Sequence, residues 1–213
     1  MKEYIQKNLV PVLIEILFIV SFFVIPKEYA LYTNFFFLAS LAIWFASKKS
    51  ISFKEWKEQL YSGKYFWAEV LRTVIILIIA YGVTGILEGA FPGLDTGMIL
   101  LRCSNWLELM LFALSTVFLP PVVEETFFRQ SMISFRSKTW MIVTLALSTF
   151  LFAMEHALKP FGLLITAIWS VPFAWSYIRR RNIYIPMTAH FITNAVVNGI
   201  SVILVIANWI VKV

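Results

Sequence analysis

Seven long apolar runs occupy most of this 213-residue chain, and they constrain its fold more than any other feature. The runs cover residues 9–25, 30–46, 66–87, 106–130, 140–157, 161–178 and 183–213. About 20 helical residues cross the hydrocarbon core of a bilayer, and a backbone inside that core must satisfy its own hydrogen bonds. The sequence therefore predicts an all-α, polytopic membrane helix bundle with about seven transmembrane helices. The last run is read as one long helix, with residues 198–199 as a candidate break.

The composition agrees with a membrane protein and excludes a soluble globular enzyme. The chain is 60% hydrophobic and 14% charged, whereas soluble domains carry about 25% charged residues. Its net charge of +6 does not indicate nucleic acid, because the basic residues lie at the ends of apolar runs and form no basic domain. We therefore expect the lipid bilayer as a partner and no nucleic acid. Cys103 stands alone, so no intrachain disulfide is expected.

Residues 47–64 form the most polar stretch of the chain, and they carry five lysines. Phe53, Trp56 and Leu60 recur at helical spacing, opposite the charged side chains. This pattern predicts a short amphipathic helix that lies in the membrane surface. A solvated loop is the alternative.

Basic residues alternate between rich and poor connections along the chain. The rich connections hold Lys2, Lys7, the five lysines of residues 47–64, Arg136, Lys138 and Arg179 to Arg181, and the poor ones hold Lys27, Arg102, Lys159 and Lys212. Cytoplasmic connections are the ones that accumulate Lys and Arg. The alternation therefore predicts seven crossings with the N-terminus in the cytoplasm.

The fourth run contains charges that are costly at membrane depth, in the sequence Glu124-Glu125-x-x-x-Arg129 after Pro120-Pro121. A charge at the bilayer centre costs about 3 kcal/mol and usually faces a bundle interior. Glu125 and Arg129 share one helix face and are expected to form an ion pair, which leaves Glu124 pointing elsewhere. The prolines remove two backbone donors, so the helix should kink or open before Glu124. The alternative is an ion pair that only joins two helices.

Both histidines of the chain lie in or at the ends of apolar runs, each with a partner at i,i+4 spacing: Phe152 with His156, and His190 with Asn194. A carboxylate and imidazoles in a cavity of low dielectric constant can hold and activate water. An Asn amide can donate to a developing oxyanion. Two His and one Glu also form a known zinc set. However, no His-Glu-x-x-His motif is present and no Asp or Cys completes a cage, so we favour no metal and no cofactor.

These three motifs resemble, in order, those of the CAAX-protease and bacteriocin-processing (CPBP, or Abi) family, and the resemblance covers roughly residues 106–200. It implies an intramembrane endopeptidase with an all-helical core. Glu124 and His156 would activate water, and His190 and Asn194 would bind the oxyanion. The supporting residues would be Glu125, Arg129 and Phe152. The family was formerly classed as metalloproteases, but the resemblance implies a glutamate mechanism without metal.

The resemblance also implies a domain division and a class of substrate. Residues 1–105 would supply N-terminal transmembrane helices with a basic cytoplasmic interfacial segment, and residues 106–213 a CPBP-like catalytic core. Eukaryotic and archaeal branches of the family cleave after a prenylated cysteine, whereas bacterial members are tied to bacteriocin or peptide processing and self-immunity. This short chain is more similar to the bacterial branch, in a bacterial plasma membrane. The alternative is a non-catalytic membrane immunity or scaffold protein of the same fold.

One expectation conflicts with a shared site. His190 follows the basic residues Arg179 to Arg181 closely, so a straight helix would leave it about 10 Å nearer the cytoplasm than Glu124 and His156. Tilted or broken helices would be needed to bring the three side chains together.

Overall fold

The computed structural model describes residues 2–211, so Lys212, which the topology prediction uses, lies outside the described part. The helices are α1 (Lys2–Val24), α2 (Ala30–Ser47), α3 (Phe53–Leu60), α4 (Lys64–Ala90), α5 (Trp106–Ala113), α6 (Leu119–Glu124), α7 (Lys138–His156), α8 (Pro160–Arg180) and α9 (Tyr184–Val211). A short 3₁₀ turn, Lys27–Tyr29, precedes α2. Two π-helical segments, Leu114–Phe118 and Glu125–Ser131, flank α6.

Seven segments of the described chain are long and apolar enough to cross a membrane. They are Lys2–Val24, Lys27–Ser47, Lys64–Ala90, Trp106–Ser131, Lys138–His156, Pro160–Arg180 and Tyr184–Ile210. Between residues 2 and 211 the only β-type pairing is an isolated bridge between Met98 and Ala157. The predicted all-α polytopic bundle is therefore confirmed, and the chain is an integral membrane protein.

The bundle has two different ends. At the basic end, Arg181 lies over the ring of Phe135, Asn182 donates to Gln59 at 2.7 Å, and Glu69 pairs with Arg180. The opposite end holds the connections around residues 25–29, 91–105 and 157–159. We call it the strap end, after a segment described below.

The fourth crossing opens where the prolines predict, and it does so by changing helix type. Residues Leu114–Phe118 are π-helical and lie directly before Pro120 and Pro121. Because Pro120 has no N–H, the carbonyl of Thr116 loses its helical donor. The side-chain amide of Asn198 supplies the missing donor at 3.0 Å. A side chain of α9 thus bonds the carbonyl that the proline leaves without a backbone donor.

Helix α9 runs without interruption from Tyr184 to Val211, so the candidate break at residues 198–199 is absent. Asn198 weakens helices in isolation, but here its amide bonds the carbonyl of Thr116 on the fourth crossing. Asn198, which the sequence marked as a candidate break, therefore connects α9 to the fourth crossing.

The polar stretch does contain a helix, α3, and the loop alternative is wrong. Ser52 caps α3 by accepting from the N–H of Glu55 at 3.2 Å. The indole of Trp56 donates to Thr188 of α9 at 2.8 Å, so this side of α3 packs on the bundle. Phe53 is exposed. The location of α3 in the membrane surface stays a prediction.

Two apolar clusters hold the helices around the centre of the bundle. One joins α1, α2, α7 and the second π-helical segment through Phe18, Phe37, Leu41, Phe127, Phe128 and Phe152. The other joins α4, α8 and α9 through Phe66, Val70, Leu77, Phe173, Ile185 and Ala189. The space between these clusters is where the motif residues meet.

Residues 96–101 form an extended segment, the strap, that lies across the end of the α7–α8 hairpin. The N–H of Ile99 donates to the carbonyl of His156, and the N–H of Leu158 donates to the carbonyl of Gly97, both at 3.0 Å. Asp95 pairs with Lys159 and accepts from the N–H of Gly97, and these contacts lower the pKa of the Asp95 carboxyl. The strap is therefore attached to the residues next to His156.

Gly162 is the closest contact between the strap and α8. A Cβ at this position would lie 1.9 Å from the carbonyl oxygen of Thr96. We therefore expect Gly162→Ala to displace the strap and lower the free energy of unfolding by about 1–3 kcal/mol, as overpacking does. Gly85→Ala is the matched control, since nothing lies within 4 Å of its Cβ and alanine favours helix. Thermal unfolding in detergent measures both. Equal melting of Gly162→Ala and the parent protein would contradict this packing.

Candidate active site

A cavity of about 560 Å³ lies between the two apolar clusters. It collects residues from all three motifs, namely Glu124, Phe152, His156, His190 and Asn194. Its other lining residues come from α2, α4, the strap, the fourth crossing, α7, α8 and α9, among them Asn34, Tyr81, Met98, Phe112, Glu155, Trp169 and Asn198. The structure thus brings together every residue for which a direct chemical role was predicted. Those roles themselves stay predictions.

Glu125 and Arg129 lie just beneath the cavity and form the predicted ion pair. Arg129 Nε is 3.4 Å from Glu125 Oε2, and both side chains are fully buried. The other carboxylate oxygen, Oε1, lies 2.9 Å from Nδ1 of His190. Arg129 also donates to the hydroxyl of Ser170 at 3.1 Å. Glu125 therefore has a basic group next to each carboxylate oxygen, and Oε1 is the one that is hydrogen-bonded.

The guanidinium of Arg129 is enclosed by aromatic rings. It lies 4.6 Å from the ring centre of Phe152, 5.4 Å from that of Phe173 and 5.8 Å from that of Phe128. Aromatic faces attract cations, and they do so more strongly when the cation is out of water. Phe152, the i,i+4 partner of His156 in the second motif, therefore packs on the cation of the first motif.

His156 is oriented by its own helix. Its Nδ1 lies 2.8 Å from the carbonyl oxygen of Phe152, and its ring packs against the Phe152 ring with centroids 4.4 Å apart. A carbonyl can only accept, so Nδ1 carries the proton and Nε2 is left with a free lone pair. His156 lines the cavity, where this nitrogen is able to accept a hydrogen bond from water.

His190 is held by two contacts from outside its helix. Its Nδ1 donates to Glu125, and its ring stacks on Phe173 with centroids 4.6 Å apart and planes 23° apart. Asn194 follows one turn later in α9 and lines the same cavity. The polar lining residues that α9 contributes are thus His190, Asn194 and Asn198.

Glu124 differs from its neighbour because no basic group pairs with it. It is 3% exposed, and its Oε2 makes no hydrogen bond to the described protein. Glu155 of α7 is a second buried carboxyl group that lines the same cavity, and its Oε2 also makes no hydrogen bond to the described protein. Glu15 of α1 is also completely buried close by, and neither of its oxygens has a partner among residues 2–211. Glu124 is therefore a carboxyl group surrounded by acids and open to the cavity.

Glu155 and Glu15 are the site residues that the sequence analysis missed. Both are glutamates inside apolar runs, and such residues usually face a functional interior. Glu155 also adjoins His156, so the signal was available at both positions. Ser170 carried no comparable signal, because a serine in an apolar helix commonly bonds its own backbone.

The absence of a metal ion from the site stays a prediction. Within residues 2–211, no three side chains of the His, Cys, Asp and Glu types are arranged to hold a metal ion. Nδ1 of each histidine is already bonded, to a backbone carbonyl in one case and to Glu125 in the other. These bonds leave Nε2 of each histidine facing the cavity as a hydrogen-bonding group.

Comparison with known proteins identifies one family. Residues 106–196 match the family described as Type II CAAX prenyl endopeptidase Rce1-like. No curated protein and no solved structure matches the chain. The matched residues contain all three motifs, and the predicted resemblance to the CAAX-protease family is confirmed.

The different surroundings of Glu124 and Glu125 lead to a prediction about stability. Glu125→Gln leaves the guanidinium of Arg129 buried without its counter-charge, so we expect the free energy of unfolding to fall by about 3–5 kcal/mol. The double variant Glu125→Gln, Arg129→Gln should recover part of that loss. Glu124→Gln, the matched control, should be neutral or stabilising because it removes an unpaired buried carboxyl group. Melting curves in detergent compare the three variants. If Glu124→Gln were the destabilising change, the roles assigned to the two glutamates would be exchanged.

Proposed function

We propose that this chain, whose residues 106–196 match the Rce1-like CAAX prenyl endopeptidases, is an intramembrane endopeptidase. Its substrate is a membrane-associated peptide or protein, and the nucleophile is a water molecule activated by Glu124 and His156. The observation that carries the proposal is the difference between the two adjacent glutamates. Glu125 is bonded to Arg129 and His190, whereas Glu124 has no basic partner and lines the cavity with His156.

The reaction follows from the groups that face the cavity. Glu124 accepts a proton from water, with the free Nε2 of His156 holding the same molecule, and the resulting hydroxide attacks the peptide carbonyl carbon. A C–O bond forms and the carbonyl oxygen becomes an oxyanion. Cleavage of the C–N bond then transfers the proton from Glu124 to the leaving amine. The balance is one water consumed and two peptides formed, and no cofactor is required.

Stabilisation of the oxyanion is assigned to α9. Asn194 offers two amide protons to the cavity. His190 presents its Nε2 edge to the same cavity, while Nδ1 stays bonded to Glu125. Removing one preorganised donor of this kind typically lowers kcat by about 10²–10³-fold. Phe152 supports the site indirectly, since it accepts from His156 through its carbonyl and packs on Arg129 with its ring.

The physiological reaction that fits this proposal is bacterial-type processing of a bacteriocin or another peptide, or self-immunity against one. The rival is a non-catalytic immunity or scaffold protein of the same fold. A binding protein has no need of an unpaired glutamate beside a histidine in a cavity, because an unpaired buried carboxyl group destabilises the fold. The presence of Glu124 in this position favours catalysis.

We also propose that the N-terminus is cytoplasmic in a bacterial plasma membrane. Of the residues that the structure describes, most of the basic ones collect at one end of the bundle. Lys48, Lys64, Arg136, Lys138 and Arg179 to Arg181 lie there, whereas Lys27, Arg102 and Lys159 lie at the strap end. Cytoplasmic connections carry such an excess.

Loss of the proposed water-activating pair should abolish cleavage. We expect Glu124→Gln and His156→Ala each to lower the rate by about 10²–10⁴-fold, the usual contribution of a general base, with the protein still folded in the membrane. Glu88→Gln, a change at an exposed glutamate of α4, is the matched control. Mass spectrometry of membrane peptides from cells that carry each variant measures the products. If either site variant cleaved at the parent rate, the role assigned to that residue would be wrong.

Orientation is tested by cysteine reporters in a Cys103→Ser background. Cysteines at Ser50 and Arg181 should resist an impermeant thiol reagent applied to intact cells, because the proposed topology places them in the cytoplasm. A cysteine at Gly93 should react. Reaction at Ser50 together with protection at Gly93 would reverse the assigned orientation.

A further inference from the structure

We infer that the cavity is entered from the extracytoplasmic side of the membrane, so that the peptide bond it cleaves lies at the outer surface or in the outer half of the bilayer. The inference rests on the proposed proteolysis and orientation, and it specifies the class of substrate.

Apart from Glu124 and His190, which lie nearer the basic end, the lining residues of the cavity extend towards the strap end. In α2 the lining residue, Asn34, follows soon after the helix begins at that end. In α7 they are in the last turns, which reach the strap. In α8, which runs back from the strap end, they stop at Phe173. The deepest polar groups are Glu124 and His190, and the cavity extends from them towards residues 98–101.

The basic end is closed below these groups by tightly packed side chains. Phe127, Phe128 and Met132 are each no more than 1% exposed. The hydroxyl of Tyr4 on α1 donates to the carbonyl of Met132 at 2.6 Å. The indole of Trp56 on α3 bonds to Thr188, close to His190 in α9. A peptide that approached from the cytoplasm would have to displace this layer before it reached Glu124.

The mouth at the strap end is apolar and formed by extended chain. Met98, Ile99, Leu100 and Leu101 line it, and the side chain of Leu100 is 68% exposed. The walls beyond the strap are mixed, and their apolar part includes Phe112, Trp169, Phe173 and Val197. Such a mouth fits a peptide segment with apolar side chains.

These positions define the substrate once the basic end is cytoplasmic. The mouth then opens at the outer surface, where secreted peptides and the extracytoplasmic segments of membrane proteins are found. The substrate class is therefore an apolar segment of such a chain, close to the outer membrane surface. The carboxyl-terminal prenylated cysteine of a cytoplasmic protein lies on the other side of the membrane and is excluded.

The side of the mouth is tested without any substrate. In a Cys103→Ser background, Leu100→Cys places a thiol on the strap, and Tyr61→Cys places a matched thiol at the basic end, where Tyr61 is 80% exposed. An impermeant maleimide should label Leu100→Cys in intact cells and Tyr61→Cys only in inverted membrane vesicles. Labelling of Tyr61→Cys in intact cells, with Leu100→Cys labelled only in inverted vesicles, would overturn the inference.

The side of the cleaved bond is tested by mapping products. Peptides that appear with the parent protein and disappear with Glu124→Gln should end at positions on the extracytoplasmic side of apolar segments, or in secreted peptides. Products that depend on Glu124 but end in cytoplasmic segments would overturn the outer entry while supporting proteolysis. If no product depended on Glu124, the proposed proteolysis would fail, and the maleimide experiment would still decide on which side the cavity opens.

Discussion

The buried contact among Glu125, Arg129 and His190 is the interaction on which the site depends. It connects the second π-helical segment to α9, and Arg129 extends it to Ser170 of α8. Buried ion pairs contribute little net stability, because desolvation offsets most of their attraction, but loss of one partner is strongly destabilising. The contact therefore determines which side chains face each other more than it determines how stable the fold is. With Glu125 fixed in this way, the preceding residue, Glu124, is directed at the cavity.

The two adjacent glutamates also differ in the type of helix to which they belong. The chain is α-helical up to Glu124 and π-helical from Glu125 to Ser131, with the N–H of Met132 bonded five residues back to Phe127 at 3.0 Å. Segments of this kind are rare and occur frequently at functional sites. The change of helix type lies between the two glutamates, so Glu124 ends the α-helical part and Glu125 begins the π-helical part.

Much of this architecture could be predicted from the sequence, because membrane depth restricts both fold and composition. The seven crossings and the Glu125–Arg129 pair followed from apolar runs and helical spacing. The depth of His190 did not. A straight-helix estimate separated it from Glu124, but Glu125 lies shortly before the end of its segment at Ser131, and His190 lies equally soon after α9 begins at Tyr184. The end of the π-helical segment and the start of α9 lie at the same depth in the bundle. That match depends on how the helices pack against each other, which the local sequence pattern does not show. The use of Asn198 as a donor to Thr116 was unpredictable for the same reason.

The surroundings of Glu124 extend beyond the stretch that carries the motifs. Glu15 comes from α1, Asn34 from α2 and Tyr81 from α4, and all three precede the predicted division at residue 105. The matched family region, residues 106–196, also stops short of Asn198. The smallest continuous piece of chain that contains the whole chamber and its acidic floor therefore runs from Glu15 to Asn198. Transplanting the three motifs alone into another bundle would reproduce the reacting groups without the walls that enclose them.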